Sequence, residues 1–112
     1  MMKIRTIINA FQPLSAVFDS IEGLQRKWSL IPAFKELKEA AEMYDKEREE
    51  LLLKHTLQDG TLNNAAFYQD HLKTLETEIE IQRPFIVTKE EVDHSKIKNS
   101  EIVKILDFMF DK

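Results

Sequence analysis

Three histidines, His55, His71 and His94, are the side chains best suited to hold a metal or move a proton near neutral pH. Compact metal motifs set two ligands about one helical turn apart, or beside an acid partner. Here 16 and 23 positions separate the histidines, and no HxxxH or HExxH spacing occurs. The chain has no cysteine, so a thiol nucleophile, a zinc ribbon and a disulfide are excluded. Serines 15, 20, 29, 95 and 100 stand in no nucleophile-elbow context. Two glycines cannot build a phosphate-cradling loop. Carboxylates abound, but on helices they read as a solvated face rather than an acid–base pair. These residues point to a protein that is not an enzyme and has no cofactor or metal.

Three other features could recognise a partner. In "LQRKWSLIP", Arg26 and Lys27 flank Trp28, and cations beside an aromatic ring can hold a nucleic-acid strand. The net charge of -4 gives that cluster no broad basic field, which argues against nucleic acid. Trp28 is expected instead to pack at the start of a long helix. Arg48 falls in an apolar seam, where its stem can lie along the core and its head reach a rim carboxylate. At the C-terminus, seven of the nine residues from Ile102 to Phe110 are apolar. Such a segment is mainly core, yet it also offers a candidate protein interface in Ile102, Ile105, Leu106, Phe108, Met109 and Phe110.

The elements that must position these residues are mostly helical, because glycine occurs twice and proline three times. Ile4, Ile7, Ile8, Phe11, Leu14, Val17, Phe18 and Ile21 make one helical face. Pro13 should bend that helix over about residues 5–20, or split it near Gln12. A second helix is expected from an N-cap at Ser29, with Pro32 in its first turn, to about His55. Leu30, Phe34, Leu37, Ala41, Tyr44, Arg48, Leu51 and His55 follow a heptad seam. After the Asp59-Gly60 turn, Asn63 or Asn64 can cap a third helix. That helix carries Ala65, Tyr68, Leu72, Leu75 and Ile79 at matching spacing, with Phe67 beside the stripe. The two seams imply an antiparallel hairpin.

Alternation over "ETEIEIQRPFIV" then predicts a strand, with "MKIR" at the N-terminus as its best partner and "FIV" at 85–87 as another. Thr88 and Glu91 form a capping-box pattern ahead of a short helical turn. A terminal apolar helix should begin at Asn99 or Ser100. The 112 residues fit one domain, 1–112, of mainly α class: a helical hairpin, a short N-terminal helix, a C-terminal apolar helix and one or two short strands. "MMKIRTIINAFQPLSAVF" lacks the continuous apolar stretch of a signal peptide, and no run reaches the roughly 20 apolar residues of a membrane span. A mature soluble N-terminus and no membrane partner are therefore expected.

The order "IINAFQPL", "FKELKEAAEMYDKEREELLLKH", a polar turn, "LETEIEIQRPFIV" and "EIVKILDFMF" resembles a family of small, uncharacterised proteins of tailed bacteriophages and prophages. The resemblance spans nearly the whole chain, and its strand-plus-terminal-helix tail is the more specific part. Pro13 and a shorter central loop depart from that pattern. The resemblance implies a viral protein acting in the cytoplasm of the bacterial host or in the virion. It implies a minor virion component or assembly factor, or alternatively an inhibitor of a host defence or regulatory protein. Its partner would be another phage or host protein, or a second copy in a homo-oligomer.

Overall fold

A computed structural model describes residues 1–110, except for the side chain of Phe110. A two-residue strand, β1 (Met2–Lys3), leads directly into helix α1 (Ile4–Ser20). The helix is continuous through Pro13, whose ring is buried. Proline cannot donate to the Asn9 carbonyl, yet of the two expectations the single helix over about residues 5–20, rather than two pieces meeting near Gln12, is the one present. Packing on both sides of that point favours it. Ile7, Ala10, Leu14 and Val17 keep a single stripe, and each is at most 1% exposed.

Helix α2 (Leu24–Lys54) is 31 residues long, or roughly 46 Å at 1.5 Å per residue. It starts at Gly23, before the expected cap at Ser29; the Lys27 amide donates to the Gly23 carbonyl at 2.9 Å. Ser29 is inside the helix, and its hydroxyl donates to the Arg26 carbonyl. Pro32 is also internal rather than in the first turn. Its side chain is exposed, where water can serve the carbonyl left without a donor.

The inner face of α2 has two halves. Leu30, Ala33, Leu37 and Ala40 are buried against α1, and the alanines allow a close approach. Phe34 stacks on Phe18 with ring centres 4.5 Å apart, and on Phe11 at 5.7 Å. Further along, Tyr44, Leu51 and His55 face α3 (Asn64–Glu76), which Asn63 caps by accepting from the Ala66 amide. The hairpin is therefore present, but its short arm departs from the expected stripe: Ala65 is exposed, and the helix ends at Glu76, before Ile79. Tyr68 is 61% exposed, whereas Phe67, beside the expected stripe, stacks on His71. Arg48 is exposed.

Strand β2 (Glu78–Ile79) pairs antiparallel with β1, placing Met2 opposite Ile79 and Lys3 opposite Glu78. This is the N-terminal pairing the alternation suggests. Strand β3 (Val87–Thr88) leads into α4 (Lys89–Ser95), and Thr88 and Glu91 complete the capping box reciprocally at 3.1 and 2.9 Å.

The C-terminal segment differs from the single apolar helix expected. It forms a short helix, α5 (Asn99–Lys104), a 3-10 turn (Leu106–Phe108) and a strand, β4 (Met109–Phe110), parallel to β3. Ile102, Ile105 and Phe108 recur every third residue, a spacing that aligns side chains on one side of a tight 3-10 turn. The turn sends Ile105 and Phe108 into the core together with Phe85, Val87 and Val92.

Candidate protein-docking surface

The polar side chains singled out by type are scattered and paired. His55 Nε2 lies 2.7 Å from Asp70 Oδ2 across the hairpin, with Lys54 at 3.6 Å. That contact holds the Asp70 carboxyl below its ordinary range, chiefly through the hydrogen bond to His55. His71 Nε2 meets the Tyr44 hydroxyl at 2.7 Å. Burial pushes the Tyr44 phenol up, and Arg48 opposes that shift in part. His94 is elsewhere, 3.4 Å from Glu22 on the surface. Among the described residues, no group of three histidine, aspartate or glutamate side chains could hold a metal ion.

Arg26 is a structural clamp rather than a free cation. Its guanidinium donates to both Glu91 oxygens, at 2.8 and 2.9 Å, and to the Ile86 carbonyl at 2.8 Å. The hydrogen bond raises the Arg26 pKa and lowers that of Glu91. A cleft of about 380 Å³ beside this clamp is lined by Ser20, Glu22, Glu90 and His94. Apart from Glu90, those groups are engaged locally: His94 meets Glu22, and Ser20 donates to the Val17 carbonyl.

The C-terminal candidates are divided by the 3-10 turn. Ile105 is 0% exposed and Phe108 3%, while Ile102 and Met109 pack against the core. Of the described ones Leu106 alone points outward, at 58% exposure, and Phe110 has no described side chain. The five described side chains do not share a docking face.

A run of exposed apolar side chains lies on α2 instead. Trp28 does not pack at the helix start: it is 72% exposed, beside Leu24 at 81% and Ile31 at 42%. The three follow 4-3 spacing, so they share one outer stripe. A groove of about 510 Å³ runs alongside, with Phe18, Phe34, Lys27, Lys35 and Lys38 among its lining residues. Lys27 Nζ lies 5.1 Å from the centre of the Phe18 ring, within cation–π range.

The stripe continues along α2 as Lys35, Lys38, Glu42, Asp45 and Glu49, all exposed, towards Leu53 at 78%. This second heptad-like register was present in the sequence. It is hard to see there because charge interrupts it and the inner seam is more apolar. Among the described residues, no helix is long and apolar enough to cross a membrane. In comparisons with known proteins, the chain matches no family model, no curated protein and no solved structure.

Proposed function

We propose that this is a non-enzymatic protein that works through protein–protein contact, and that α2 presents the contact surface. The observation carrying this is the exposure of Leu24, Trp28 and Ile31 on one stripe beside a groove edged by three lysines. Large apolar and aromatic side chains kept in water at one place are characteristic of interaction sites. With the resemblance of the sequence to small phage proteins, this supports a minor virion component or assembly factor of a tailed phage or prophage. It would act in the bacterial cytoplasm or in the particle.

A second reading is an inhibitor of a host defence or regulatory protein. It is favoured by the exposed acids on the distal half of α2, Glu42, Asp45, Glu47, Glu49 and Glu50, which could occupy a basic groove. Quantitative mass spectrometry of purified particles distinguishes the two. A fixed copy number per particle, lost with Trp28→Ala plus Ile31→Ala, is the expected result. Absence from both particles and assembly intermediates, with recovery bound to one host enzyme, would overturn it in favour of the inhibitor.

A further inference from the structure

We infer that the occupant of this surface is α2 of a second copy, packed antiparallel. The inference rests on the docking reading above and names its partner. The outer stripe of α2 is ordered by character: Leu24, Trp28 and Ile31, then Lys35 and Lys38, then Glu42, Asp45 and Glu49, then Leu53. A parallel, in-register pair would set lysine against lysine and acid against acid. A foreign acidic helix over the proximal end would leave the distal acids unmatched. An anionic membrane along the stripe would be repelled by those same acids.

An antiparallel pair solves all three problems. With a two-fold axis at the level of Ala40, Lys38 of each copy faces Glu42 of the other, and Lys35 faces Asp45. No stripe position then meets a like charge. The same register brings Leu53 of the second copy towards the Trp28 end of the groove, an apolar cover for the most exposed ring. Such an interface is self-complementary and closed, so it ends at two copies rather than a filament. The charges set orientation, and the contact of Trp28 with Leu53 supplies the apolar burial at each end.

The test is light scattering on the full chain across a concentration range, with circular dichroism to confirm folding. The expected wild-type species is a dimer that weakens as salt rises. Lys35→Glu with Lys38→Glu makes the stripe acidic throughout; Glu42→Lys with Asp45→Lys makes it basic. Each double variant should dimerise about tenfold more weakly or worse. An equimolar mixture of the two should form a heterodimer. A dimer indifferent to both reversals overturns this geometry. A chain monomeric throughout, with Trp28 emission unchanged by phosphatidylglycerol vesicles, overturns it in favour of a foreign acidic partner. A monomer whose emission shifts on those vesicles overturns it in favour of a lipid surface. In the first of these monomer cases the docking reading still stands or falls on the particle measurement with the Trp28 variant.

Discussion

Arg26 on α2 holds both carboxylate oxygens of Glu91, at 2.8 and 2.9 Å, while Glu91 also closes the capping box of α4 with Thr88. One side chain thus starts a helix and ties it to the beginning of another. Glu91→Ala removes the clamp and one half of the capping box, the hydrogen bond from the Thr88 amide, while the Thr88 hydroxyl still accepts from the amide of residue 91. The lost hydrogen bond is worth about 1 kcal/mol. The bidentate pair adds a comparable amount, reduced by the partial exposure of Arg26. Urea denaturation should show a loss of about 2 kcal/mol for Glu91→Ala.

The same contacts set the acid response. Glu91, Asp70 and Glu76 all have depressed pKa values, caused first by hydrogen bonds from Arg26, His55 and Lys3 respectively. A carboxylate whose folded pKa is depressed stabilises fully above its ordinary value, 4.5 for glutamate and 3.8 for aspartate. That stability is lost as pH falls through the depressed value. Stability should therefore decline on acidification below those ordinary values, and Glu91→Gln should flatten the decline. Denaturation midpoints that hold steady or rise towards acid would contradict these pairings.

The C-terminal turn makes a sharp contrast between neighbours. Ile105→Ala and Phe108→Ala each empty a core site and should cost about 2–5 kcal/mol. Leu106→Ala, between them, should stay within about 0.5 kcal/mol of wild type. Thermal melts of the three variants check which side chains of this segment reach the core.

What could be read from the sequence was set by local chemistry. Thr88 and Glu91 carry their cap within four residues, and the Asn63 cap follows the Asp59-Gly60 turn in the same local way. Alternation marks the strand at Ile79, and its pairing with Met2 across the whole chain follows because a lone strand needs a partner. The misses depend on tertiary balance. Ser29 looks like a cap, but burial of Leu30 through Ala40 against α1 and the Arg26 clamp on Glu91 favour a helix that begins earlier. The apolar run at 102–110 looks helical by composition, yet of its described side chains only Ile105 and Phe108 are fully buried, with Ile102 and Met109 packed beside them. Trp28 was expected inside, and its exposure follows from the face it occupies, opposite Leu30 and Ala33.

Trp28→Ala should leave folding stability within about 0.5 kcal/mol of wild type, because the ring is 72% exposed. The same change should weaken self-association measured by light scattering. A large loss of stability would mean that the indole is part of the core.

Trp28 is the single tryptophan of the chain, so its fluorescence reports on the proposed surface alone. Acrylamide quenching followed from dilute to concentrated protein tests the docking claim most directly. In dilute solution the indole should emit as a water-exposed ring and be quenched freely, then become shielded and blue-shifted as concentration rises. An indole freely quenched at every concentration would contradict contact between copies through this face of α2.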